Sequence, residues 1–319
     1  YDAEGRRRQN MDIFAFLGGL ALFLFGLYQI RTAMETFMKG RLRSVIGRMT
    51  AGTVRTIALG TGLTMLMQSS TAVTVVTVGM VESGALEKRK AFLLVMGANL
   101  GTTATAWLVA LGASGGEKKS GNTVLLVLLC LGVLMEYFQR SAVKNGGMLL
   151  SGIGALFLGV EGMGTVMDVF PGLYGILPAL GKNSLAALGA GVMLACMVQS
   201  SSAGIGILQV LAERGVIPAQ AGMYMILGEN IGTCVTTLAA GVGTGAAARS
   251  VTWFHLFFNV VGTMAALPVL AGIFHLLPQA GTAMGSAVGL AMIHTMFNAF
   301  NIAVFGPWIH QMQRINRSM

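Results

Sequence analysis

Two stretches of this chain spell the same pattern. The first copy is Gln68-Ser69-Ser70-Thr71-Ala72, followed by Gly97-Ala98-Asn99-Leu100-Gly101-Thr102-Thr103. The second is Gln199-Ser200-Ser201-Ser202-Ala203, followed by Gly228-Glu229-Asn230-Ile231-Gly232-Thr233-Cys234. One constant offset, 131 residues from Gln68 to Gln199, aligns Gly60–Thr105 with Gly191–Thr236 without a gap. Identities in that register include Gly60/Gly191, Gln68/Gln199, Ser69/Ser200, Ser70/Ser201, Glu82/Glu213, Gly84/Gly215, Gly97/Gly228, Asn99/Asn230, Gly101/Gly232, Thr102/Thr233 and Thr105/Thr236. A duplication restricts the fold before any single element is considered, because one structural unit must be built twice.

The unit belongs in a membrane. The 319 residues are 54% hydrophobic and 10% charged, with a mean hydropathy of +0.72; a soluble domain carries about 25% charged residues. The 45 glycines suit helices that pack closely or break inside lipid. A net charge of +9 does not indicate nucleic acid, since the basic residues lie between apolar segments. Cys130, Cys196 and Cys234 sit in apolar runs without metal-ligand spacing and read as reduced packing residues. No signal peptide is evident. Tyr1 is not a natural start, so residues 1–12, with Arg6-Arg7-Arg8, read as a tail.

The expected fold class is an all-α polytopic membrane protein of two inverted repeats, each with a re-entrant helical hairpin and a broken transmembrane helix. Repeat 1 covers residues 13–140, with its hairpin at about 52–85. Repeat 2 covers 147–276, with its hairpin at about 184–213. A final transmembrane helix covers 283–311 and a cytoplasmic tail 312–319. Each hairpin arm is about 15 residues, roughly 23 Å of helix, too short for a comfortable crossing. Spans are expected near 13–38, 91–111, 123–138, 148–168, 220–241, 251–276 and 283–309, with the second interrupted at Asn99–Thr103 and the fifth at Glu229–Thr233. Three crossings separate the hairpins, so they enter from opposite faces, as in the inverted repeats of secondary transporters. One face collects Arg31, Lys39, Arg41, Arg43, Arg48, Arg55, Lys88, Arg89, Lys90, Arg140, Lys144, Arg249, Arg314 and Arg317; the other has Arg6, Arg7, Arg8, Lys118, Lys119, Lys182 and Arg214. The richer face is cytoplasmic by the positive-inside rule, which puts the N-terminus outside and the C-terminus inside.

The chemistry follows from where helices break. A break at membrane depth exposes backbone groups that only protein or a wet cavity can satisfy. The arm after each tip presents a helix N-terminus suited to an anion. Hydroxyls and amides of Gln68, Ser69, Ser70, Thr71, Gln199, Ser200, Ser201 and Ser202 can hold anionic oxygens or a hard cation. Asn99, Thr102, Thr103, Asn230 and Thr233, with freed carbonyls, would form a neutral oxygen cage suited to Na⁺. Serine and glycine could instead serve only close helix packing, but that leaves the matched placement of both motifs unexplained. No Lys or Arg lies from Thr56 to Glu87 or from Leu185 to Glu213, and helix N-termini supply only about half a charge each. An anion here needs a bound cation beside it, which argues for cation-coupled anion transport. Glu229 breaks the repeat, its partner being Ala98; an ionisable group at membrane depth is a candidate cation ligand or titrating group, or a carboxyl paired with a neighbouring amide.

His255–Asn259 and His294–Asn298 echo each other late in the chain, each pair on one helix face. Interhelical hydrogen bonds around the core are the expected role, and a proton-linked or substrate role the sharper one. Glu35, Glu136, Glu161 and Asp168 are expected near interfaces, and Glu82 and Glu213 as caps or anchors. The Gly-x-Ser-x-Gly elbow, the His-Glu-x-x-His pair and the P-loop are missing, which argues against an enzyme.

These residues carry a resemblance. The doubled Gln-Ser-Ser, Gly97–Thr102, Gly228–Thr233 and Phe254-His255-Leu256-Phe257-Phe258-Asn259 resemble the type II sodium/phosphate cotransporter family in its bacterial branch, over about residues 13–309. The resemblance implies a sodium/phosphate symporter in the bacterial inner membrane, working by alternating access. Phosphate would be held between the tips, and co-transported Na⁺ by Ser69, Asn99, Thr102, Thr103, Ser200, Asn230 and Thr233, without an organic cofactor; Glu229, which stands where vertebrate relatives lack a carboxylate, joins the Na⁺ set on its position at membrane depth alone. His255, Asn259, His294 and Asn298 would support the site. Bacterial relatives often continue into a cytoplasmic PhoU-like helical domain; with the chain stopping at Met319, such a domain is expected to be either absent or removed, and a homodimer is compatible with the resemblance. The first tip reads Ser-Ser-Thr where three serines are common, and Cys234 replaces a threonine. Competing readings are a sodium-coupled dicarboxylate transporter, a phosphate-binding sensor or scaffold that does not transport, and an intramembrane hydrolase.

Overall fold

The computed structural model describes residues 3–50, 52–113, 119–163, 179–276 and 285–317. Among them the only regular structure is helical. The elements are α1 (Ala3–Met38), α2 (Leu42–Met49), α3 (Thr53–Met67), α4 (Ser70–Glu82), α5 (Lys88–Ala113), α6 (Lys119–Glu136) and α7 (Ser141–Gly162), then α8 (Ser184–Val198), α9 (Ser201–Glu213), α10 (Ala219–Gly232), α11 (Cys234–Ala240), α12 (Ala246–Leu276) and α13 (Ala287–Arg317). Among the described residues, five stretches are long and apolar enough to cross a bilayer: Ile13–Met38, Lys88–Gly112, Ser141–Gly162, Ala246–Ile273 and Ala287–Ile309. Large apolar side chains such as Phe14, Val54, Leu111, Leu134 and Met197 lie exposed, as a lipid-facing surface requires. The protein is a multi-pass, all-helical membrane protein.

Both expected hairpins form, α3–α4 and α8–α9, with short arms and their turns at Gln68-Ser69 and Gln199-Ser200. Helix α1 starts at Ala3, inside the stretch expected as a tail. Asp168 and Lys118 lie outside the described residues.

The interruption expected at Asn99–Thr103 is absent. Helix α5 runs unbroken from Lys88 to Ala113. Its glycines serve close packing instead. A Cβ on Gly97 would overlap the Ile57 carbonyl of α3, one on Gly101 would meet Thr61, and one on Gly60 would overlap the Leu94 carbonyl of α5. The threonine hydroxyls turn back onto the helix, Thr102 donating to Ala98 O at 3.1 Å and Thr103 to Leu100 O at 2.7 Å, which an unbroken helix accommodates. In the second copy the helix does break, between α10 and α11 at Thr233.

The same glycine contacts recur in the second copy. Gly191 meets the Met225 carbonyl, Gly228 the Leu188 carbonyl and Gly232 the Val192 carbonyl. Each is the first copy's contact at the constant offset. Helices α1 and α7 pair backbone to backbone through glycines as well. Gly19 meets Gly162, while Gly26 meets Gly152 and Leu156. The numbering therefore runs in opposite directions and the two helices are antiparallel. The chain ends expected on one face also meet. Glu82 accepts from Gly245 N at 2.9 Å, at the start of α12, and Arg89 donates to Thr53 Oγ1 at 3.1 Å and Ile309 O at 3.4 Å. At the other end Glu213 accepts from Ala287 N at 2.7 Å. Glu82 and Glu213 thus cap helix starts, as expected.

Gly97→Ala should cost about 1–3 kcal/mol, because its Cβ meets backbone rather than a movable side chain. Gly62→Ala, with open space around it, should be neutral or stabilising by up to about 1 kcal/mol. Melting temperatures of the two variants in detergent check the contrast.

Candidate functional site

The two tips have one geometry. Gln68 (φ 51°) and Gln199 (φ 53°) are the non-glycine residues with positive φ among those described. A non-glycine residue in that region is held there at a cost of about 1–2 kcal/mol, and such strain clusters at functional sites. The next residue of each tip is extended and caps the following helix. Ser69 Oγ accepts from Ala72 N at 3.1 Å, and Ser200 Oγ from Ala203 N at 3.3 Å. The first amides of α4 and α9, at Ser70–Thr71 and Ser201–Ser202, have no intrahelical acceptor and are free for a ligand.

Each tip engages the opposite repeat. Thr71 meets Thr236 at 3.5 Å, hydroxyl to hydroxyl, and Ser202 meets Thr105 at 3.1 Å. Thr71 and Ser202 are counterparts at the offset, and so are Thr236 and Thr105. Thr105 also donates to Gln68 Oε1, so its hydroxyl must accept from Ser202. The chain Ser202–Thr105–Gln68 joins the two tips through a single hydroxyl. Thr105 and Thr236 are not among the residues that sequence reasoning placed in the site. Their identity in the two copies was the available signal.

The Asn positions of the two copies differ. Asn99 donates to Asn259 Oδ1 at 2.9 Å, and its Oδ1 meets His255 Nε2 at 2.9 Å; His255 Nδ1 meets Thr237 Oγ1 at 3.0 Å. Asn259 donates onward to Cys234 Sγ at 3.3 Å. This closed buried network links α5, α11 and α12, and gives His255 and Asn259 the expected interhelical role. Asn230 instead donates to Ile226 O within its own helix, at 2.8 Å. His294 has neither ring nitrogen bonded, and Asn298 uses its amide on His294 O at 2.9 Å. Thr233 donates to Asn230 O at 3.0 Å. Glu229 is fully buried with both carboxyl oxygens unpartnered.

The structure therefore brings Gln68, Thr71 and Ser202 together with the two threonines. Asn99 is bonded to Asn259 and His255 on α12, and the Thr102 and Thr103 hydroxyls to their own helix. Three other acidic side chains have polar partners. Glu35 pairs with Arg31 at 2.7 Å, Glu136 accepts from Gln29 and Ser151, and Glu161 accepts from Asn122. All three cysteines are free.

Fold and tips together define a multi-pass membrane protein with a polar centre built from two converging hairpins. The chain belongs to the Na⁺/Pi-cotransporter family, whose model matches residues 22–165 and 170–271. This is a family of transporters, not of enzymes. The chain is 26% identical over 306 residues to YqeW of Bacillus subtilis, covering 95% of this chain and 96% of that protein. It is 25% identical over 318 residues to YjbB of Escherichia coli K12, named as a proposed inorganic phosphate exporter. That match covers 97% of this chain but 56% of YjbB, so the chain spans little more than half of that relative's length. A shorter segment of 70 residues is 38% identical to the sodium-dependent phosphate transport protein 2B of cattle, covering 22% of this chain and 10% of that protein. No solved structure matches.

The Asn99–His255 bond should show strong coupling. Either Asn99→Ala or His255→Ala leaves a buried partner unsatisfied, at about 1–3 kcal/mol. The double variant should cost clearly less than the sum, as measured by a thermal-denaturation cycle in detergent.

Proposed function

We propose that this protein is a Na⁺-coupled symporter of inorganic phosphate, built from two inverted repeats and working by alternating access. The observation that carries the reading is the Ser202–Thr105–Gln68 chain. It joins two strained, capped tips at one polar point, where free helix amides and serine hydroxyls face a common ligand. Phosphate oxygens suit those donors. Gln68, Ser69, Ser70, Thr71, Gln199, Ser200, Ser201 and Ser202 are assigned to phosphate.

The missing positive side chains make a co-bound cation necessary for holding an anion here. Ser69, Ser200, Asn99, Thr102, Thr103, Glu229, Asn230 and Thr233 are assigned to Na⁺, with His255, Asn259, His294 and Asn298 in support. Asn99 reaches a cation only by exchanging its present bonds to Asn259 and His255, which makes that network a conformational element of the cycle. The antiparallel pairing of α1 and α7 and the recurring glycine contacts favour inversion of the repeats. The ends that meet at Glu82–Gly245 and Arg89–Ile309 favour a single cytoplasmic face in a bacterial inner membrane. The family name and the bovine relative's name support phosphate and sodium. The name of YjbB adds export, and a symporter runs in whichever direction the combined gradients dictate.

Purified protein in liposomes should accumulate phosphate when an inward Na⁺ gradient is imposed, and not when K⁺ replaces Na⁺. Ser70→Ala and Ser201→Ala each remove a hydrogen bond to a charged group, about 1.5–3 kcal/mol, or roughly 10–100-fold in affinity. Equal uptake with K⁺ would remove the sodium coupling. Competition by succinate but not by phosphate would favour a dicarboxylate carrier, and phosphate binding without flux a sensor.

A further inference from the structure

The two copies of the repeat disagree at a pair of positions, not at one. Glu229 stands where the first copy has Ala98, and Gly204 stands where it has Val73. Ala98 and Val73 are both fully buried and apolar. In the second copy a Cβ on Gly204 would overlap Glu229 Oε1. The carboxyl thus occupies the room that the missing side chain leaves on α9. A small residue beside a large one has been exchanged for a large one beside a small one, and the packing needs of the fold are met either way. Packing alone does not require the charge.

Among the described residues, nothing fixed answers that charge. Glu229 is 0% exposed and neither carboxyl oxygen has a hydrogen-bond partner. Gly204 N already donates to Ser200 O at 2.9 Å. The first turn of α9 contributes at most a fraction of a charge through its dipole. An isolated buried carboxylate is prohibitively unfavourable in a low-dielectric interior, so the group must either take a proton or be given a cation. Ser200, the cap of α9, and Ser201, its first residue, precede Gly204 in the same turn, and their hydroxyls are hard oxygen ligands for a cation.

We propose that Glu229, seated against Gly204, forms a monovalent-cation site for Na⁺ in the second repeat that the first repeat lacks. The two halves of the centre are therefore unequal in charge. The proposal rests on the Na⁺-coupled reading above, and deepens its assignment of Glu229 by giving that Na⁺ a separate, anionic site beside Gly204.

The test converts the second repeat to the first repeat's chemistry. In the Glu229→Ala/Gly204→Val double variant, the niche is refilled with the pair already packed at Ala98 and Val73. Glu229→Gln keeps the shape and removes only the charge. Equilibrium dialysis of purified full-length chain with radioactive Na⁺, without phosphate, should show one Na⁺ fewer per chain in the double variant, and at least tenfold weaker binding at that site in Glu229→Gln. Melting temperatures show whether each variant is folded. If the double variant does not fold, Glu229→Gln decides alone. Na⁺ binding by Glu229→Gln equal to that of the unmodified protein overturns the proposal and leaves the carboxyl as a neutral packing group. The unmodified protein's phosphate uptake is read separately. If uptake is Na⁺-independent, the proposed function fails, whereas a change in dialysis alone bears on this site.

Discussion

A helix that stops and restarts inside a bilayer leaves backbone groups that lipid cannot satisfy. The rest of this structure is arranged around that constraint at two points. Ser69 and Ser200 each take one orphan amide of the helix that follows. Gln68 and Gln199 hold the left-handed turn that lets the chain reverse. What remains unsatisfied at each tip points to a place where the other repeat supplies hydroxyls. The tips are linked through Thr105, with Thr71 and Thr236 as the matching contact.

Glycine makes that meeting possible. Hairpin arms and their neighbouring helices approach until a Cβ would strike a carbonyl, at Gly60, Gly97 and Gly101 and again at Gly191, Gly228 and Gly232. In lipid, where apolar surface gains little by leaving its solvent, close backbone contact is a main source of helix association. The recurrence of these contacts at one offset shows two units packed by one rule. Their departures then gain meaning. One Asn is closed into a network with His255 and Asn259, while the other keeps to its own helix. One helix is continuous and the other is broken at Thr233. One niche is apolar, and the other holds a carboxylate.

Much of this was legible in the sequence. Low charge and short apolar arms identified a membrane fold with hairpins, and the repeated Gln-Ser-Ser located both tips. The supposed break at Asn99 was misread because Gly97 and Gly101 look like helix breakers until the carbonyls they approach, on a helix some forty residues earlier, are known. Thr105 was overlooked because a threonine in an apolar helix is ordinary; only its neighbour across the centre marks it. Glu229 was noticed as a break in the repeat, but Gly204, which makes room for it, lies on a different helix, α9. A sequence shows that a residue has changed more readily than it shows what changed with it.

The central claim is that the two tips share one anion with Na⁺ beside it. The most direct measurement is an experimental structure of the protein with phosphate, determined once in Na⁺ and once in K⁺. The account predicts tetrahedral density between the Ser70 and Ser201 hydroxyls in Na⁺, with compact cation density adjoining it, and loss of both in K⁺. Phosphate bound elsewhere, or bound equally at the tips in K⁺, would contradict it.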